Sequence, residues 1–110
     1  MSVLAYSELL KRIAGIEEKD LEAPFRILSK NNTTSMRLEV IKGLARYEPM
    51  STGMLLQKLG FPRGGGSYIT IQNFFSSLEK EELLERRKIK SKTLWAFSNK
   101  GELLKRYILS

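Results

Sequence analysis

Residues 64–84 read Gly-Gly-Gly-Ser-Tyr-Ile-Thr-Ile-Gln-Asn-Phe-Phe-Ser-Ser-Leu-Glu-Lys-Glu-Glu-Leu-Leu, and how this stretch divides between apolar and polar positions decides the fold. A glycine turn leads into a predicted helix from about Ser67 to Glu81. At about 100° per residue, Phe74, Phe75 and Leu78 fall within about 60° of Ile71, as a buried stripe requires, and Ser67 and Tyr68 extend it. The opposite face holds Ile69, Gln72, Asn73, Ser76 and Lys80, with Thr70 and Ser77 on its flank. That face is polar but nearly uncharged. A solvated helix face ordinarily carries Glu and Lys in number, whereas amides and hydroxyls both donate and accept hydrogen bonds. Gln and Asn pair bidentately with adenine in the major groove, and Ile69 is suited to a thymine methyl. The stretch is expected to be a DNA recognition helix; the plainer alternative is an outer face that is simply rich in Ser and Asn.

The totals narrow the choice. A chain of 110 residues, 42% of them hydrophobic, has room for one domain with a single modest core. Lys and Arg outnumber Asp and Glu by 19 to 12, a formal charge of +7, which favours a polyanionic partner. There is no Cys and no His. Disulfides, thiolate ligands, the commonest zinc ligand and every Ser-His or Cys-His catalytic pair are thereby excluded. No paired carboxylates suggest catalysis, so neither enzyme activity, cofactor nor metal is expected. The apolar runs are far too short for a membrane span, and residues 1–15 mix acid and base unlike a secretory signal. A cytoplasmic, nucleoid-associated protein is expected.

From the N-terminus, Val3, Leu4, Tyr6, Leu9, Leu10 and Ile13 recur at helical spacing and Gly15 ends the run. A second helix is expected between Asp20 and Lys30, with Pro24 in its first turn. Asn31 to Ser35 reads as a loop, and the shift in composition there sets residues 1–33 apart as a helical extension from a main module at 34–110. Next comes a helix from Ser35 to Tyr47, with Met36, Val40, Ile41 and Leu44 on one side, stopped by Glu48-Pro49. Ser51 caps a short helix through Lys58, with Met54, Leu55 and Leu59 inward and Gly60 closing it.

After Leu84 the pattern changes to strands. Residues 85–90 and 93–97 form an expected hairpin turning at Ser91-Lys92. Arg86, Arg87, Lys88, Lys90 and Lys92 stand against the single acid Glu85, so the hairpin holds +4 of the chain's +7. Basic residues also protect strand edges, but charge that peaks at a hairpin tip favours phosphate contact. Asn99-Lys100-Gly101-Glu102 has the spacing of a capping box, and Leu103, Leu104, Tyr107 and Ile108 give the closing helix an apolar stripe. That helix is expected to pack on the first helix of the same or a second copy.

The order helix, helix, recognition helix, basic hairpin resembles the winged helix-turn-helix. Leu78 to Arg86 is similar to the junction in PadR-like and MarR-like regulators where the recognition helix meets the first wing strand. Trp95-Ala96-Phe97-Ser98-Asn99-Lys100-Gly101 is similar to their exit from the wing. The likeness covers residues 35–110 and departs at Glu82, where those families usually carry Gly. It implies a mostly α fold with a small β-hairpin wing (α+β), the helix in the major groove and the wing on adjacent phosphate or minor groove. Gln72, Asn73 and Ser76, with Ile69, become candidates for base edges. Arg63, Thr70, Lys80, Arg87, Lys88, Lys90 and Lys92 become candidates for backbone or groove contact, and Thr52 for a phosphate bound through its hydroxyl and helix N-terminus.

The resulting expectation is a homodimeric, sequence-specific double-stranded DNA-binding protein that regulates transcription by occupying a palindromic or repeated site. Two alternatives stand beside it. One is a DNA-bound adaptor or architectural protein that spreads on DNA and recruits a partner through the N-terminal extension, as in archaeal plasmid partition systems that resemble this family. The other is a winged helix used only for protein contact. A P-loop is excluded because Gly66-Ser67 stands where Lys-Ser or Lys-Thr is needed. Trp95, Tyr68 and Phe97 suit either a ligand pocket, a base-stacking platform or, most simply, the core. Met36, Met50 and Met54 read as core filler.

Overall fold

The structure, a computed structural model, describes residues 8–12, 33–61 and 65–109. It is mostly helical with one antiparallel hairpin. After a helical stretch at residues 8–12 come α1 (Thr33–Tyr47), α2 (Thr52–Lys58), α3 (Gly65–Lys80), β1 (Leu84–Ile89), β2 (Lys92–Phe97) and α4 (Glu102–Leu109). The expected helix at 20–30 and Arg63 lie outside the described residues. Thr33 to Ser35 belong to α1, not to the preceding loop.

One core joins these elements. Leu38, Val40, Ile41 and Leu44 of α1 meet Leu55 and Leu56 of α2, the Ile71, Phe74, Phe75 and Leu78 stripe of α3, and Leu84, Trp95 and Phe97 of the hairpin. Leu9 and Leu10 are buried in the same cluster, so residues 8–12 of the expected extension pack as part of it. Arg12 reaches Glu81 at 2.9 Å, an exposed pair of small energetic weight. Met36 and Met50 line the core, but Met54 is exposed. It sits one position before Leu55 and two before Leu56, about 150° from the middle of the stripe they define. Tyr68 is likewise exposed, because the first turn of α3 runs past the buried Ile71. Trp95 and Phe97 are core residues.

Two helices end in the same way. On α2, capped at its start by the Ser51 hydroxyl accepting from the Met54 amide at 3.2 Å, the Gly60 amide reaches the Gln57 carbonyl and the Phe61 amide the Leu56 carbonyl. This is a Schellman turn, and it needs the left-handed backbone that Gly60 adopts at φ 82. On α3 the Glu82 amide reaches the Glu79 carbonyl and the Leu83 amide the Leu78 carbonyl, and the left-handed position falls on Glu82 at φ 64. α3 therefore ends in the same turn as α2, with a side chain where glycine is the unstrained choice.

The hairpin pairs Leu84 with Phe97, Arg86 with Trp95, Lys88 with Thr93 and Ile89 with Lys92. Its turn is Lys90-Ser91, one residue earlier than expected. Lys90 takes φ 58, the geometry that matches a two-residue turn to strand twist. On its other edge β2 exchanges both backbone hydrogen bonds between Trp95 and Met50, which ties the α1–α2 connection to the sheet.

At the far end, Ser98 rather than Asn99 serves the start of α4. Its hydroxyl accepts from the Gly101 amide at 3.0 Å, and the first helical bond runs from the Lys105 amide to the Gly101 carbonyl. A Cβ on Gly101 would sit 2.0 Å from the Leu83 carbonyl oxygen, so backbone meets backbone here. Leu104 and Ile108 bury the inner face of α4 and Leu103 is exposed. This helix packs on α1, the third helix of the expected order and not the first. Glu48 fastens the junction, accepting from the Phe97 amide at 2.9 Å and forming an ion pair with Lys105 Nζ at 2.6 Å. The interaction with Glu48 raises the Lys105 pKa from 10.5.

Among the described residues no helix is long and apolar enough to cross a membrane, and no group of Cys, Asp and Glu could hold a metal ion.

Candidate nucleic-acid interface

The outward face of α3 is set by its buried stripe. With Ile71, Phe74, Phe75 and Leu78 fixed inward, Tyr68, Ile69 and Asn73 are exposed, and Ile69 is 60% accessible. Thr70, Gln72 and Ser76 are half-buried along the margins and Lys80 is exposed at the C-terminal end. From Gly65 to Leu78 this helix has no charged residue.

Gln72 and Thr52, both expected to touch DNA, meet each other. The Thr52 hydroxyl donates to Gln72 Oε1, and the indole N–H of Trp95 lies 3.1 Å from Gln72 Oε1 and 3.2 Å from Thr52 Oγ1. Thr52 is 2% exposed. Its only proton is directed at Gln72, so the phosphate contact expected through its hydroxyl has no donor behind it. Both lone pairs of Gln72 Oε1 are occupied, which leaves no acceptor for bidentate pairing with adenine. A flipped amide would set NH₂ against the indole N–H, two donors face to face, so the network fixes the orientation.

The hairpin has two faces of alternate residues. Leu84, Trp95 and Phe97 face the core, and the same face continues outward through Arg86, Lys88 and Thr93. Arg86 lies over the Trp95 ring at 4.8 Å and pairs with Glu79 of α3 at 3.1 Å. Lys88 thus shares the side of the hairpin that meets α3. The other face carries Arg87, Ile89 and Lys92, with Arg87 paired to Glu85 at 2.8 Å. Lys88, Lys90 and Lys92 are exposed, and none has an ion-pair partner among the described residues.

Acids therefore compensate the cations at the base of the hairpin and leave those at its tip uncompensated. Arg86 was not among the expected contacts; its alternation with Lys88 along β1 is the signal that places both on one face. Tyr68, which the apolar stripe places with the core, lies beyond the limit of the core along α3 and is exposed.

No protein-family model matches the chain, and neither a curated protein nor a solved structure matches it.

Proposed function

We propose that this chain is a winged helix-turn-helix protein that binds double-stranded DNA. In this reading α3 enters the major groove, and the β1–β2 hairpin is the wing on the adjacent backbone or minor groove. The observation that carries it is the lysine cluster at the hairpin tip, without ion-pair partners among the described residues, on a hairpin whose base is tied by Arg86 and Glu79 to a helix that bears no charge before Glu79. Ile69, Gln72, Asn73 and Ser76 are the base-edge residues. Thr70, Lys80, Arg87, Lys88, Lys90 and Lys92 hold the sugar-phosphate backbone. The role is one of binding, as a transcriptional regulator that acts by occupancy.

A homodimer belongs to the same proposal, since two copies with recognition helices about 34 Å apart span one turn of DNA. Exposed Leu103 and Leu109 on α4 supply apolar surface for it. The test is selection of bound duplexes from a random pool, followed by footprinting on the winner. One short protected site is expected, and Asn73→Ala relaxes the preference at one position. A pool that emerges unenriched overturns the proposal, and a protected tract that grows with concentration supports the spreading adaptor instead.

A further inference from the structure

We infer that Gln72 is a donor-only recognition residue whose amide is aimed by Trp95 and Thr52, and that it takes a base-edge acceptor (purine N7, guanine O6 or thymine O4) but not adenine's paired donor and acceptor. This rests on the proposed DNA-binding role and assigns the chemistry of one position in it. The indole N–H can only donate and the Thr52 hydroxyl proton points the same way, so the carbonyl oxygen of Gln72 is held inward between them. Its Nε2 has no hydrogen-bond partner among the described residues and is not among their buried unpaired atoms. Two N–H donors are left on the margin of the exposed face of α3.

Three elements meet at this point. Thr52 opens α2, Gln72 sits midway along α3, and Trp95 belongs to β2, with its ring edge-on to Phe75 at 5.5 Å and covered by Arg86 on the hairpin. Thr52 and Trp95 are thus positioning residues: they touch no nucleotide, and they determine which half of the amide does. An unrestrained Gln reads adenine with both halves. This one has a single half to offer.

The test has two arms. The chain's single Trp gives one indole N–H resonance. Gln72→Ala should move it upfield by removing an acceptor, whereas Gln72→Glu, which keeps an oxygen in place, should leave it or move it downfield. A resonance unmoved in both variants overturns the orientation without any reference to DNA. In the second arm, each base of the selected duplex is replaced singly by an analogue lacking N7, O6 or O4, or by one lacking the adenine 6-amino group. One acceptor deletion should weaken wild-type binding about 3- to 10-fold, the worth of one hydrogen bond, and cost Gln72→Ala nothing further. A 6-amino deletion whose cost disappears in Gln72→Ala, or no acceptor deletion coupled to Gln72, overturns the inference. Absence of salt-dependent duplex binding overturns the proposed function and the base-edge partner with it; the indole resonance then still decides the orientation.

Discussion

Arg86 of the hairpin lies 3.1 Å from Glu79 in the last turns of α3, so the cation nearest the helix is neutralised by the helix itself. Beyond that pair Arg87 is met by Glu85 at 2.8 Å, and from Lys88 to Lys92 the positive charge has no ion-pair partner among the described residues. The division separates hairpin residues that hold the hairpin to α3 from those available to an external anion.

Replacing Lys88, Lys90 and Lys92 together with Ala should weaken binding to every duplex by a similar factor. Each lost phosphate contact removes about 0.9 from the slope of log K against log salt, so the plot should flatten by about 2 to 3. Arg87→Ala, which breaks an intrachain pair, should change it less. Fluorescence anisotropy on specific and scrambled duplexes reads both. Loss confined to the specific duplex would show that the tip reads sequence.

Glu82→Gly should stabilise the protein. A side chain at φ 64 costs about 1–2 kcal/mol. The exposed Lys100–Glu82 pair at 3.2 Å returns less than about 1 kcal/mol, and glycine's freedom in the unfolded chain takes back about 0.4–1 kcal/mol. A net gain of about 0.5 kcal/mol should appear as a rise of about 2–4 °C in Tm. A fall in Tm would mean that the Glu82 side chain stabilises the turn by more than its backbone strain.

At Gly101 the sign reverses. Gly101→Ala drives a methyl group into the Leu83 carbonyl, an overpacking of about 1–3 kcal/mol, and thermal unfolding should show a marked loss. Ser98→Ala should cost about 1 kcal/mol as a lost cap, while Asn99→Ala should be close to neutral. Equal losses at Ser98 and Asn99 would restore the capping box that the spacing suggested.

The core of this fold was legible in the sequence because a buried stripe repeats every three or four residues. Ile71, Phe74, Phe75 and Leu78 are placed by that rule alone. Periodicity gives direction but not reach, which is why Tyr68, on the same stripe one turn earlier, emerges into solvent. On a two-turn helix it gives little even of direction: it points Met54 inward, and Met54 is exposed. Capping spacing points to Asn99, one residue late, because the contact that positions α4, Gly101 on Leu83, joins residues 18 apart. The candidate interface was legible as composition: an uncharged outer face and a basic tip. The Thr52–Gln72–Trp95 network was not, since it joins three elements and no local pattern couples them.

Stability should also depend on pH through Glu39. Burial on α1 raises its carboxyl above the ordinary 4.5, against the lowering influence of Lys42 and Arg46. A raised carboxyl pKa means that the folded state binds the proton more tightly than the unfolded chain does. Its contribution is therefore fully present below pH 4.5 and is lost as pH rises through the folded value. Glu39→Gln should then be more stable than wild type at pH 7, with the difference fading towards pH 4, as read by urea unfolding at both. A variant less stable at pH 7 would show that the pairing with Lys42 and Arg46 outweighs burial.

The most direct test of the central claim is a salt titration of duplex binding by the wild-type chain between about 50 and 200 mM monovalent salt. With Lys80, Lys88, Lys90 and Lys92 each neutralising a phosphate, log K should fall linearly with a slope of about −3 to −4. Affinity that stays flat across that range, or no binding at its lower end, would contradict a DNA-binding role for the α3 face and the hairpin tip.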